Sequence, residues 1–428
     1  MKIYQDNIEE FLLKIKDRNN IDNISYLEIV KNIIKDIKIN GNSALIEYTN
    51  KFDSELITLD NIRVTKEEIK KAYDNLDPIL KETYEKSYAR IKAFHELQKT
   101  KTWMDIKDNG EILGQKITPL ESVGIYVPGG KAAYPSTVFM NAVPAIVAGV
   151  ERIIMTTPAN KAGEINQNVL ACAYILGIEE IYKVGGAQAI AALAYESTII
   201  PKVCKIVGPG NIFVALAKKE VFGSVSIDSV AGPSEILVLA DETANPRYVA
   251  ADLLSQAEHD ELASSILITN SVDLANEVNK YVLEFTEKLE RKNIINKSLD
   301  NFGGIIVCQT MDEAIRVAND IAPEHLELAS SNPFIYLPKI KNAGAIFLGN
   351  YTPESLGDYM AGPNHVLPTN QTAKFFSPLS VDDFIKKSSI LYFNSEAFDN
   401  LGEYVYNFAN SEGLTAHALA SKIRMEDK

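Results

Sequence analysis

The chain has 428 residues, with Lys plus Arg 43 against Asp plus Glu 57 and a formal net charge of −14. That length allows two or three domains around a large core, and the acidic balance argues against nucleic acid or an anionic membrane as a partner. Three widely spaced cysteines, Cys172, Cys204 and Cys308, fit a reducing compartment and argue against a disulfide framework.

The opening run MKIYQDNIEEFLLKIKDRNN alternates charged and apolar residues as an amphipathic helix does. It has no uninterrupted apolar core of the kind a signal peptide needs. Residues 1 to 100 read as mostly helix. Thr65 and Glu68 form a capping box, the pattern breaks at Pro78, and His95 sits in a charged helix. The most apolar stretch, VFMNAVPAIVAGV, is too short to span a bilayer. A cytoplasmic protein is expected.

From residue 120 the pattern changes to short apolar runs between helical segments: RIIMTT (152–157), IYKVGG (181–186) and KIVGPG (205–210). This is the βαβ rhythm of a parallel sheet. A second series follows with EILVLA (235–240), ILIT (266–269), GIIVC (304–308) and AIFLG (345–349), so a seam is expected near residue 230. The tail from 380 reads as helical and polar.

Three loops in the first series suit a nucleotide: GIYVPGGKAAYPS (124–136), GGAQAI (185–190) and VGPGN (207–211). Each follows a strand, and the carboxyl ends of strands are where doubly wound sheets bind ligands. The spacing GxGxxG is absent, and each loop alone is equally a tight turn. A polar set in the second series has metal-ligand chemistry: Gln256 and His259 in LLSQAEHD, Asp358 in SLGDY, and His417 near the C-terminus. Asn245 and Pro246 open a helix on which Asp252, Gln256 and His259 share a face. A lone helical histidine is more often a core or capping residue, so the set forms a site only if its members converge. In APEHLEL (322–328), Glu324 and His325 are expected on a turn before a short helix, either as two proton-transfer groups or as a cap beside a surface histidine. His365 lies in the rigid loop GPNHVLPT, and Glu412 precedes His417 in NSEGLTAHA. Cys172 and Cys308 read as core, and no nucleophile elbow or Walker loop is present. Residue chemistry alone reaches an α/β metalloenzyme and leaves nucleotide dependence open.

Taken together, VGIYVPGGKAAYPSTVFMNAVPA, VGGAQAIAALAYES, GPGNIFV, AGPSEILVLAD, DLLSQAEHD, APEHLEL, SLGDYMAGPNHVLPT and LTAHA resemble, in order, the signature runs of the histidinol dehydrogenase family over residues 30 to 420. The resemblance implies an α/β fold of two incomplete Rossmann-like parallel-sheet domains with small helical N- and C-terminal elements. The boundaries expected are an N-terminal segment 1–22, one domain from 23–122 and 235–380, a second from 123–234, and a tail 381–428 reaching a partner subunit. It implies zinc-dependent, NAD-dependent four-electron oxidation of L-histidinol to L-histidine through L-histidinaldehyde, with one Zn2+ per subunit, two NAD+ per turnover and a homodimer with shared active sites.

Carried over by position, Gln256, His259, Asp358 and His417 become zinc ligands that also border the substrate, His417 coming from the neighbouring subunit. Glu324 and His325 become the catalytic pair, His325 as base and Glu324 as activator of water. Ser234, His365 and Glu412 join them as substrate contacts, and Tyr126, Gln188 and Asn211 contact NAD. The run AYESTIIPKVCKI departs from the family's usual pattern, with Cys204 where Asp is common. Two other readings stay open. The His and Asp donors permit a zinc hydrolase in which Glu324 activates water, although the glycine-rich loops and the missing HExxH pattern argue against it. A non-catalytic protein with a metal-joined dimer would leave the PEH and GPNH runs without a role.

Overall fold

The structure, a computed structural model, describes residues 1–5, 8–19, 24–129, 134–230 and 232–426. Gly130 to Ala133 of the first glycine-rich run, and Ala231 before Ser234, lie outside the described residues. The strands in chain order are β1 (Lys2–Tyr4), β2 (Trp103–Ile106), β3 (Ile112–Pro119), β4 (Ser122–Tyr126), β5 (Arg152–Thr157), β6 (Glu180–Lys183), β7 (Lys205–Val207), β8 (Ser226–Ile227), β9 (Glu235–Ala240), β10 (Ser264–Thr269), β11 (Gly303–Val307), β12 (His325–Ala329), β13 (Ala345–Leu348) and β14 (Ile385–Tyr392).

The chain divides into two units: Met1–Gln98 with Leu120–Phe384, and Lys99–Pro119 with Ile385–Lys428. The first unit holds two parallel sheets, in the orders β6-β5-β4-β7-β8 and β1-β11-β10-β9-β12-β13. Their central strands read as unbroken apolar runs because helices cover both faces; β9 and β10 are buried along their whole length. In each sheet the chain reverses direction once. The switch points lie between β4 and β7 and between β9 and β12. The seam expected near residue 230 separates the two sheets. This is the mixed α/β, parallel-sheet fold expected from the sequence.

Several local expectations change. Residues 1 to 100 are mostly helix as expected, but the opening run, expected as an amphipathic helix, begins with a strand: β1 pairs with β11 at the sheet edge, Lys2 opposite Gly304. Residues 24–97, expected with 235–380, pack on the five-stranded sheet instead. Val30, Ile33, Ile37 and Leu45 join the cluster of Ala187 and Val214, while Ile69 and Ile91 join that of Val138 and Phe139. Their apolar stripes find the helices 186–194, 212–221 and 135–148, whose alanine- and valine-rich surfaces permit close approach.

In the second unit, β14, β3 and β2 form an antiparallel sheet, with Ile385 opposite Pro119 and Trp103 opposite Gln115. The tail therefore begins with a strand, which the polar residues Lys386, Lys387, Ser388 and Ser389 conceal from periodicity. Helices Ser395–Asp399, Gly402–Ser411 and Thr415–Glu426 follow it. Among the described residues no helix is long and apolar enough to cross a membrane.

Candidate active site

The PEH run is not a turn before a helix. His325 opens β12, and Glu324 immediately precedes it, at the amino end of the strand beside Glu235 at the start of β9. A helix was expected there because Pro323 followed by Glu resembles a first turn. Pairing with β9 and β13 overrides that local signal. Glu235 then serves both residues. Its amide donates to Glu324 Oε2 at 2.9 Å, its Oε2 accepts from the Glu324 amide at 3.2 Å, and its carbonyl lies 3.0 Å from His325 Nδ1. A carbonyl only accepts, so Nδ1 carries the hydrogen and Nε2 keeps its lone pair. His325 Nε2 is buried with no hydrogen-bond partner among the described residues.

The helix expected to present Gln256 and His259 on one face spans Pro246–Ala257, capped by Asn245 with Pro246 in its first turn. Gln256 is in its last turn, but His259 lies beyond the end. The His259 amide still donates to the Gln256 carbonyl at 3.1 Å, which keeps the two residues within one turn. Gln256 is fully buried, yet neither end of its amide has a partner among the described residues. Ser255 of the same helix donates to Glu354 Oε2 at 3.4 Å, bringing the helix end beside the segment that holds Asp358.

Asp358 lies in the wide turn Gly357–Ala361. Its Oδ1 is 4.0 Å from His325 Nε2 and 3.8 Å from His365 Nδ1. Glu354 Oε1 stands 3.6 Å from His325 Nδ1 and has no hydrogen-bond partner among the described residues. Ligand atoms of His325, Glu354 and Asp358 all lie within 4.8 Å of one another. Sequence reasoning missed Glu354. Its spacing of four from Asp358 was the available signal, since residues four apart in a helical turn face the same way.

Burial dominates the electrostatics. It pushes the Glu324 and Glu354 carboxyls well above their usual range, and neighbouring carboxylates push further: Glu235 and Asp358 on Glu324, and Asp358, Glu327 and Glu324 on Glu354. It also lowers His325 and His365, against the upward pull of Asp358 on both. His259 is close enough to act on both imidazoles. Ser234, whose carbonyl accepts from the Ser264 amide at 3.0 Å, precedes Glu235 at the same strand ends. Glu412 and His417 belong to the second unit, where both are exposed.

The nucleotide candidates stand at the other sheet. Tyr126 ends β4, and its buried hydroxyl accepts from the Gly186 amide at 3.1 Å. Asp53 Oδ2 accepts from the Gly185 amide at 3.0 Å. The amides of Gly185 and Gly186 in this loop are therefore already used. Gln188 is buried beside Gly186, its Nε2 without a hydrogen-bond partner among the described residues. Asn211 caps helix Ile212–Val221. The loop before it is held by Lys218, which donates to the Gly208 carbonyl at 2.9 Å, and by Asp228, which accepts from the Gly208 amide at 2.8 Å. Gly208 has φ +116°, and a Cβ there would meet the Tyr126 carbonyl oxygen at 2.2 Å, so only glycine fits. The loops after β4 and β7 flank this sheet's switch point, the place topology favours for a ligand.

A family model described as Histidinol dehydrogenase matches residues 16–425. The chain belongs to the histidinol dehydrogenase family. It is 53% identical over 429 residues to the histidinol dehydrogenase of Clostridium acetobutylicum, covering 100% of this chain and 99% of that one. With the Aquifex aeolicus histidinol dehydrogenase it shares 54% identity over 420 residues, 98% of this chain and 97% of that one. The crystal structure of histidinol dehydrogenase from Elizabethkingia anophelis superposes with a TM-score of 0.94 at 38% identity, covering 100% of this chain and 98% of that chain. Membership makes the protein an oxidoreductase and supports histidinol oxidation in histidine biosynthesis as its activity. It decides against the hydrolase reading.

The candidate pair does not sit where topology alone would look. Glu324 and His325 stand at the amino ends of their strands, whereas the switch-point rule favours carboxyl ends. At the carboxyl ends of β9 and β12 the Asp241 carboxylate is occupied by Ser330 at 2.6 Å and Tyr336 at 3.1 Å.

Proposed function

We propose that the enzyme oxidises L-histidinol to L-histidine in two NAD+-dependent steps through bound L-histidinaldehyde, as a zinc-dependent homodimer with shared active sites. The observation that carries this reading is the meeting of buried, partnerless polar atoms (His325 Nε2, Glu354 Oε1 and the Gln256 amide) with Asp358 and His365 at one end of the six-stranded sheet.

Those atoms fit a cation. A buried amide oxygen without a partner is costly, and a cluster of buried carboxyls calls for positive charge. Imidazole nitrogen and carboxylate oxygen are ordinary zinc donors. Gln256, His259 and Asp358 would hold the ion, with His417 of the partner subunit completing the set. Zinc, when bound, would polarise the substrate oxygen and hold its amine and imidazole, and NAD+ would accept the hydride.

The rest falls to side chains. His325 Nε2, with Nδ1–H fixed on the Glu235 carbonyl, takes the carbinol proton as hydride leaves the carbon. Its lowered proton affinity keeps it neutral and ready to accept. Glu324, whose raised proton affinity makes it a stronger base than an exposed carboxylate, activates the water that hydrates the aldehyde before the second hydride transfer. Tyr126, Gln188 and Asn211 would bound the NAD site, and Ser234, His365 and the partner's Glu412 would meet the substrate. A cytoplasmic setting suits the free cysteines.

The second unit supports a dimer. Ile106, Leu391, Tyr404 and Phe408 are 69%, 69%, 74% and 69% exposed, apolar side chains that a partner subunit would cover.

The test is NADH formed per L-histidinol consumed by zinc-loaded enzyme. Two NADH, abolished by chelator and restored by zinc, are expected. One NADH with free aldehyde would overturn the role of Glu324. Glu324→Gln should spare the first oxidation more than the second, and equal loss of both would contradict the assignment.

A further inference from the structure

Arg18 lies in the N-terminal segment, to which no part of the reading above gives a task. It follows helix Ile8–Lys16, whose Phe11 and Ile15 bury against the six-stranded sheet. Its side chain is 1% exposed and paired with Glu235. A guanidinium so deeply buried is expensive unless its partners hold it in place. The same nitrogen that reaches Glu235 Oε1 also donates to the Pro233 carbonyl at 2.9 Å and to Asn370 Oδ1 at 3.3 Å. The Asn370 amide returns a bond to Glu235 Oε1 at 3.0 Å. Arg18 thus ties together the start of β9, the loop after the GPNH run and, through Glu235, the PEH pair.

Glu235 is the hinge of the arrangement. Its main chain orients Glu324 and His325, and its carboxylate holds the Glu324 amide. Burial pushes its carboxyl up, and the Arg18 guanidinium is the strongest influence pulling it back. Without that guanidinium, two buried carboxyls at Glu235 and Glu324 would face each other with no cation between the segments that carry them. One must then move or take up a proton, and either displaces the reacting groups.

We propose that Arg18, acting through Glu235, is a positioning residue for Glu324 and His325. The proposal rests on reading those two as the proton-transfer groups. It gives the N-terminal arm a part in catalysis at long range: Arg18 and Glu235 are 217 residues apart in sequence. All three contacts come from Nη2, at the far end of the guanidinium, while Nε and Nη1 have no hydrogen-bond partner among the described residues. A lysine ammonium keeps the charge but ends one bond short of that nitrogen, so it cannot reach Glu235, the Pro233 carbonyl and Asn370 together without a shift.

The experiment compares Arg18→Met, Arg18→Lys, Glu235→Gln and the Arg18→Met/Glu235→Gln double variant in the full-length, zinc-loaded enzyme. Thermal midpoint, KM for L-histidinol and kcat for each half-reaction are measured, the second with L-histidinaldehyde supplied. For Arg18→Met, kcat of the aldehyde step is expected to fall about 10- to 100-fold with KM unchanged, as for other residues that orient a reacting group. Arg18→Lys should recover part of that loss. The double variant should be no worse than the poorer single, because both act on one contact.

Loss of activity that only tracks loss of folded protein, or additive losses in the double variant, would overturn the proposal. If Arg18→Met does not fold, Arg18→Lys decides: wild-type kcat overturns, lowered kcat at unchanged KM and midpoint supports. Glu324→Gln is run in parallel. If it oxidises aldehyde normally, the underlying reading has failed. If it cannot while Arg18→Met is unaffected, only the positioning role has failed.

Discussion

Replacing Lys218 with methionine tests how the nucleotide loop is held. The ammonium of Lys218 is paired with Asp228, and their side chains are 2% and 5% exposed. Methionine keeps the length of the stem but removes the charge, leaving Asp228 buried opposite an apolar group. Breaking a buried pair from one side costs about 3–5 kcal/mol. The Gly208 carbonyl, which accepts from Nζ at 2.9 Å, loses its partner too, at about 1 kcal/mol more. Denaturant unfolding should show a lower midpoint with unchanged slope. Because Gly208 leads into Asn211, KM for NAD+ should rise while zinc content stays at the wild-type level. Adding Asp228→Asn removes the stranded charge and should restore much of the stability without restoring the loop. A single variant that loses less than about 1 kcal/mol, the range of an exposed pair, would refute the reasoning, since it would mean that water reaches the pair.

Asp53 gives a pH signature. Burial pushes its carboxyl from 3.8 to about 6, against the pull of the Gly185 amide and Lys161. A raised carboxyl stabilises the fold fully below pH 3.8, and that contribution is lost as pH rises through about 6. Asp53→Asn should therefore match wild type near pH 4 and exceed it at pH 8, by at most about 3 kcal/mol; thermal melts across that window check this, and a variant less stable than wild type at pH 8 would count against it. Gln256→Leu should leave the metal-free enzyme as stable or more so, because the amide it removes has no protein partner, while zinc per subunit falls. Unchanged zinc by elemental analysis would remove Gln256 from the ligand set.

The resemblance supplies the candidate residues, but periodicity misplaces several of them. Gln256 and His259 were read as neighbours on a helix, and the helix stops between them. Glu324 and His325 were read as helix-start residues, and they begin a strand. For the PEH run the cause is strand pairing. Local propensity is a weak prior where a segment is paired on both sides, and HLELA alternates as it does because Glu327 meets Asp252 beneath the site while Leu326 and Leu328 fill the opposite face. Glu354 and Glu235 were overlooked because an isolated glutamate carries no signal until its neighbours in space are known. Arg18 was invisible for the same reason.

What the sequence determines by itself is the material: apolar runs of strand length alternating with helical stripes, which can bury themselves only as parallel sheets between helices, and an ordered set of polar runs specific enough to name the family. Caps at Thr65 and Asn245 are equally local, since a side chain and an amide two or three residues away suffice. Strand order and packing partners are not local. Residues 24–97 carry apolar stripes that would suit either sheet, and only the shapes of the helices 135–148, 186–194 and 212–221 decide which. The same holds for the site. Burial of Glu235, Glu324 and Glu354 around His325 arises because β9, β12 and the 354–361 turn meet at one end of a sheet, and it is that shared desolvation, absent from any single segment, that raises the carboxyls and lowers the proton affinity of His325.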